Sequence, residues 1–260
     1  SKSESGDPDL WDNIFGYGHI GKFTTQRSPN LRFNEGEIQN VIMGFEPNGD
    51  TIFRNISNAW VLDNYYDTYV EFEEGDFNPL LATYVKNYYE LYEPYGAEGY
   101  FNNLDNIRLN NGLINGLAPG AVYGMYAVPG MVQTGYSKSV SDQIAVNVNG
   151  SMTLGRGDNS HEIKLGFQYE QRNSAAMQYN VTSYNRNPWT LMRDMVNAHI
   201  RELDIDHPYA VSYDGFVDTI MYNRLYDAST QYTIDARLRQ AMGLPVDGTE
   251  WILVDTYDFD

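Results

Sequence analysis

Four histidines, His19, His161, His199 and His207, are the residues best suited to bind a metal ion or move a proton. His199 and Glu202 stand i, i+3 on a stretch with helical periodicity, and Asp204, Asp206 and His207 follow directly. Nitrogen and carboxylate donors so spaced could hold a divalent ion. The same residue types end helices as caps and salt links in solvent, and the segment is read that way, with no metal and no cofactor assigned. The terminal DTYDFD offers carboxylates for calcium, yet such tails are ordinarily solvated. Glu73 and Glu74, before Gly75, read as a solvated loop. Arg156-Gly157-Asp158 matches a cell-adhesion tripeptide but falls where a hairpin needs flexible polar residues. There is no phosphate loop, dinucleotide fingerprint or nucleophile elbow. With no cysteine in the chain, thiolate nucleophiles, thiolate metal sites and disulfides are excluded together. An enzyme is not supported. The chain also carries 22 tyrosines, side chains suited to wet aromatic surfaces. Tyr65, Tyr66, Tyr88, Tyr89, Tyr92 and Tyr95 are the candidate ligand contacts, because phenol rings stack and hydrogen-bond at modest entropic cost. Packing of a loop core is the competing role of each.

These side chains stand on 260 residues, enough for one large domain or two ordinary ones. A net charge of −18 repels phosphate backbones, so nucleic acid is excluded as a partner. The aromatic share of 14% favours β structure and wet aromatic surfaces. No apolar run approaches the roughly 18–20 residues of a membrane-spanning helix, which leaves a spanning barrel open. The N-terminal SKSESGDPDLW lacks the regions of a signal peptide. The expectation is an export signal already removed, or an internal piece of a longer chain.

The clearest element lies between Asp142 and Arg172. Ile144, Val146, Val148, Met152 and Leu154 alternate with Gln143, Ala145, Asn147, Asn149, Ser151 and Thr153. After the turn GRGDNS, Ile163, Leu165, Phe167 and Tyr169 alternate with Glu162, Lys164, Gln168, Glu170 and Arg172. Period-2 runs around a short polar turn predict a β-hairpin. Ordinary strands run about five or six residues, whereas a tilted strand crossing a bilayer needs about 9–11. Both arms reach that length, so the nine apolar residues face the membrane if the hairpin spans a barrel wall, or a core if it belongs to a soluble sandwich, and the pattern alone leaves both open. Residues 14–23 read as a glycine-weakened strand, and Asn48-Gly49 as a hairpin turn. Helices are expected over 78–92 and 188–203, each opened by Asn-Pro, and over about 233–242, stopped at Gly243.

The phrase HEIKLGFQYEQR resembles a barrel strand of TonB-dependent outer-membrane receptors. FGYGHIGKF, FNPLLATYVKNYYELY, NNGLINGLAPGAVYGMY, LMRDMVNAHIRELD and LRQAMGLPVDGTEWI follow in an order similar to the Oar-like branch of that family, over about residues 10–257. The resemblance implies a mainly β fold: part of a large antiparallel transmembrane β-barrel of about 22 strands, with long extracellular loops containing short α-helices. It implies an internal segment with the plug and remaining barrel absent. In it 136–172 is the transmembrane hairpin, and 24–135 and 173–260 are mostly extracellular loop. It further implies a Gram-negative outer membrane, binding of an extracellular solute for energy-coupled uptake, and partners in the TonB inner-membrane complex (through the plug), outer-membrane lipid and a surface lipoprotein or other outer-membrane subunits.

Two other functions fit the residues. A soluble extracellular binding or adhesion module, a β-sandwich with helical insertions, requires Ile144, Val146, Val148, Ile163, Leu165 and Phe167 to be buried against other protein atoms. A structural subunit would dock on a larger outer-membrane assembly without transporting.

Overall fold

The computed structural model describes all residues except 96–98, 119–131, 182–183, 214–215 and 257–260. In chain order the strands are β1 (Lys2–Ser5), β2 (Gly21–Phe45), β3 (Thr51–Glu74), β4 (Gly135–Leu154), β5 (His161–Asn180), β6 (Tyr209–Tyr213) and β7 (Phe216–Met221). The α-helices are α1 (Pro79–Tyr92), α2 (Leu104–Leu109), α3 (Pro188–Met195) and α4 (Thr233–Ala241). The protein is mainly β with antiparallel sheets, as the composition and alternation predict. It divides into two compact units, one of residues 1–13 and 133–182, the other of 14–132 and 183–260.

The smaller unit is a three-stranded sheet in the order β1-β4-β5. β4 and β5 pair from Gly135↔Asn180 to Leu154↔His161 without one register shift. The tip is built on Gly155 (φ +111°) and Gly157 (φ +62°), backbone conformations that favour glycine. β1 lines only the upper part of β4, from Lys2↔Val140 to Ser5↔Ser137. There Tyr136 is buried, donates its phenol proton to Glu4 and stacks on Trp11 at 5.2 Å.

The larger unit begins differently from its sequence reading. Residues 14–23 are not one strand: Ile14–Tyr17 form a 3-10 turn, Gly18 takes φ +96°, and β2 starts only at Gly21. β2 and β3 then form a second long hairpin around the turn at Asn48-Gly49, where Gly49 has φ +92°. A region expected to be mostly loop thus holds strands of 25 and 24 residues. Five register shifts mask these strands in the sequence pattern, since each bulge inverts which alternate residues face inward. The base of this ribbon packs Ile20, Phe23 and Val70 on Leu81, Ala82 and Val85 of α1. Its middle packs Val41, Ile56 and Val61 on Ile220 of β7. β6 and β7 join it by parallel contacts, Ile42↔Tyr209 and Trp60↔Thr219 with Val61↔Ile220. The pairings β2-β3-β7-β6 close a small ring through these short links. The described residues show no transmembrane-scale barrel.

The helix starts follow their caps. Asn78 accepts from the Leu81 N–H ahead of Pro79, and Asn187 accepts from the Trp189 N–H ahead of Pro188. The second helix is shorter than its periodicity implies. Val196 turns extended and Asn197 takes φ +64°, so α3 ends at Met195. Asn197 repays that conformation by clamping the chain at Ile252: its Nδ2 donates to the Ile252 carbonyl at 2.8 Å and its Oδ1 accepts from the Ile252 N–H at 2.9 Å.

Next to it lies a buried polar knot. Asp255 accepts from Arg193 Nε at 2.7 Å and Nη2 at 2.5 Å, and from Asn115 Nδ2 at 3.0 Å. Asn115 in turn donates to the Gly21 carbonyl and accepts from the Ile20 N–H. Asp255→Asn leaves Arg193 without its anion in a site where both side chains are mostly buried. Its expected cost is about 3 kcal/mol, read as a lower urea midpoint of the full chain by near-UV circular dichroism.

Candidate functional site

In the smaller unit the bulge-free register decides which side chains share a surface. Val146 stands opposite Tyr169, Val148 opposite Phe167 and Met152 opposite Ile163, while Ile144, Leu154 and Leu165 face shorter or polar partners on the same side. All nine are uncovered, with exposures from 40% at Ile163 to 74% at Leu165. Isolated apolar side chains on a surface need no explanation, but a contiguous set of this size marks an interaction surface. The band Ile144–Leu154 covers about 33 Å of strand. At barrel tilts of about 40° that is about 25 Å, the height of a lipid-facing band. Tyr169, opposite Val146, is the last apolar residue of the band on β5, its hydroxyl turned to Gln171 Oε1 at 2.7 Å.

The opposite face is mostly polar, with Ala145 and Gly166 set among amides and charges. Gln143 donates to Glu170 and accepts from Arg172 Nη2 at 3.1 Å, and Lys164 pairs with Glu162 at 3.3 Å. Arg156-Gly157-Asp158 sits in the hairpin tip, exposed. No helix among the described residues is long and apolar enough to cross a membrane, which says nothing of strands.

In the larger unit the six candidate tyrosines do not converge. Tyr88, Tyr89 and Tyr92 project from α1 into an aromatic cluster: Tyr89 stacks on Phe101 at 4.1 Å, Tyr92 on Tyr100 at 4.3 Å. Tyr89 also donates to the Val70 carbonyl at 2.9 Å. Burial pushes the Tyr88 phenol up to about 12 and raises Tyr89 further. These three pack the core. Tyr66 and Tyr95 are exposed. Tyr65 lines a cavity of about 460 Å³ with Arg27, Arg201, Arg224 and Trp251. The Arg27 and Arg224 guanidinium carbons lie 4.6 and 4.3 Å from the Trp251 ring centroid, and Arg224 also lies 5.3 Å from that of Tyr65. No local sequence pattern points to Arg27, Arg224 or Trp251. They come from separate segments: Arg27 from β2, Arg224 from the stretch after β7 and Trp251 from the stretch after α4.

The histidine–acid cluster is split. His199 is buried with Nδ1 3.4 Å from Asp235, which also holds Arg239 at 3.2 Å and accepts from the Asn197 N–H at 3.0 Å. His207 is exposed and pairs with Asp204 at 2.9 Å. Glu202 lines the cavity beside Trp251 instead. Among the described residues no group of three or more acids and histidines could hold a metal ion. Glu74 pairs with Lys86 at 2.6 Å. In the acidic tail, Asp255 belongs to the buried knot, and residues 257–260 lie outside the described residues.

The Asp204 carboxylate raises the His207 pKa by hydrogen bond and charge. The stabilisation from this pair is complete below the unfolded value of about 6.5 and fades as pH rises through the higher folded value. An NMR titration of the His207 ring should give a midpoint above 6.5. Asp204→Asn should bring it down.

Compared with known proteins, the chain matches no family model, no curated protein and no solved structure.

Proposed function

We propose that the chain is a barrel-and-loop portion of an outer-membrane TonB-dependent receptor, a protein that binds an extracellular solute for energy-coupled uptake. One observation carries the reading: the long bulge-free β4–β5 hairpin has one continuous apolar face that nothing in its own unit covers. In water such a face forfeits the transfer free energy of every side chain on it, about 25 cal/mol per Å². Acyl chains supply the missing apolar neighbour. The amide-rich and charged opposite face suits a wet lumen, and the six-residue connection Gly155–Ser160 suits the short periplasmic turn of such barrels.

The strand edges support the same reading. Among the described residues β5 has no second neighbour, and β4 has one only along Ser137–Val140. Unpaired backbone groups are not tolerated in hydrocarbon, so a spanning hairpin needs adjacent strands on both sides, as in a closed barrel. The resemblance of HEIKLGFQYEQR and the phrases around it to the Oar-like branch is the second support. It brings the TonB complex, outer-membrane lipid and a surface lipoprotein as partners. A soluble module would need Ile144, Val146, Val148, Ile163, Leu165 and Phe167 enclosed by protein, and their exposure argues against it.

The full chain should aggregate in plain buffer and become monodisperse in detergent. Ile144→Ser, Val148→Ser, Leu165→Ser and Phe167→Ser together should abolish that need. A wild-type chain that stays monomeric without detergent, measured by light scattering, would sink the receptor reading.

A further inference from the structure

We propose that the cavity bounded by Arg224, Arg27, Tyr65 and Trp251 binds a small aromatic monocarboxylate, the carboxylate on the open edge of the Arg224 guanidinium and the ring against Tyr65 and Trp251. The site is built wholly within the larger unit and stands whether or not the hairpin meets lipid.

The chain carries 35 acidic residues against 17 basic ones, so a half-buried cation without a carboxylate partner is the unexpected case. Arg27 has Asp67 at 3.0 Å, Arg193 has Asp255 at 2.5 Å and Arg239 has Asp235 at 3.2 Å. Among the described residues no ion pair reaches Arg224. Its Nη1 donates to the Ile200 carbonyl at 3.0 Å, and its guanidinium carbon lies over the Trp251 ring, 4.3 Å from the centroid. Burial lowers its pKa first, the neighbouring Arg27 charge lowers it further, and Tyr65 opposes both. Two like charges drawn out of water over one indole carry a desolvation and repulsion cost that a bound anion removes.

The geometry also selects the anion. Arg224 Nη1 is engaged by the Ile200 carbonyl, and the remaining guanidinium N–H groups suit a planar, two-oxygen acceptor, the fork that matches a carboxylate. Arg201, whose Nη2 donates to the Asp194 carbonyl at 2.7 Å, adds positive charge at the rim. Asp63 and Glu202 line the same cavity, and their charge disfavours a polyanion. A volume of about 460 Å³ holds a ring system, and Tyr65 and Trp251 provide its aromatic walls. This gives Tyr65, alone of the six candidate tyrosines, a specific ligand contact.

The test follows indole N–H resonances of the full chain in detergent. The chain has only 4 tryptophans, and Trp251→Phe assigns the relevant signal. Benzoate should shift the Trp251 signal saturably at millimolar concentration and leave the others in place, while neutral benzamide should not. Arg224→Gln should weaken benzoate about tenfold or more, and Arg224→Lys, which lacks the fork, should not restore it. Arg237→Gln, at an exposed position on α4, should bind as wild type. Unmoved signals from the other tryptophans show that each variant is folded. Equal responses to benzoate and benzamide, no response to benzoate, or full affinity in a folded Arg224→Gln would each overturn the proposal.

Discussion

The unslipped pairing of β4 with β5 is the constraint on which the molecular character of the chain rests. Side chains along a strand alternate with period two, so a single bulge would send half of the apolar set to the opposite face. None occurs between Gly135↔Asn180 and Leu154↔His161, and the alternation of Ile144 to Leu154 therefore meets that of Ile163 to Tyr169 in phase. The outcome is a ribbon with two chemically distinct faces. The β2–β3 ribbon shows the other outcome. Its five shifts rotate apolar residues from one side to the other, and burial becomes local, against α1 at the base and β7 in the middle.

The larger unit is held by polar groups as much as by its apolar clusters. Asn115, Arg193 and Asp255 tie the start of β2 to α3 and to the C-terminal stretch. Asn197 and Asp235 tie the end of α3 to α4 and to Ile252. Buried networks of this kind stabilise only when each member is satisfied, and they fix one arrangement of otherwise irregular segments. That arrangement brings Trp251 between the β2–β3 ribbon and the segment around Arg224. The cavity there is a consequence of how the loops are pinned, with no single element building it.

What could be read in the sequence was whatever is local. The β4–β5 hairpin announced itself through strict alternation, the β2–β3 turn through Asn48-Gly49, and α1 and α3 through Asn-Pro starts. The far end of α3 was misread because Leu191, Met192, Met195, Val196 and Ile200 keep helical spacing past the break that Asn197 imposes. His199 and Glu202 consequently lost their shared helix face. The extent of β2 and β3 was hidden by bulges, and residues 14–23 by a glycine turn at Gly18. Residue type alone does not separate Tyr88, Tyr89 and Tyr92, which pack α1, from Tyr65, which meets Arg224. That distinction depends on contacts between residues far apart in sequence.

Because the chain has no cysteine, single-cysteine variants accept a nitroxide label at one chosen position. Labels at Val148 and Phe167, compared with labels at Asn147 and Gln168, test the orientation of the hairpin directly by power-saturation spectroscopy in lipid. A lipid-facing band predicts that labels at 148 and 167 collide with oxygen and are shielded from a polar nickel reagent, with the reverse at 147 and 168. Labels at 148 and 167 shielded from both reagents, or a uniform response at all four positions, would contradict it.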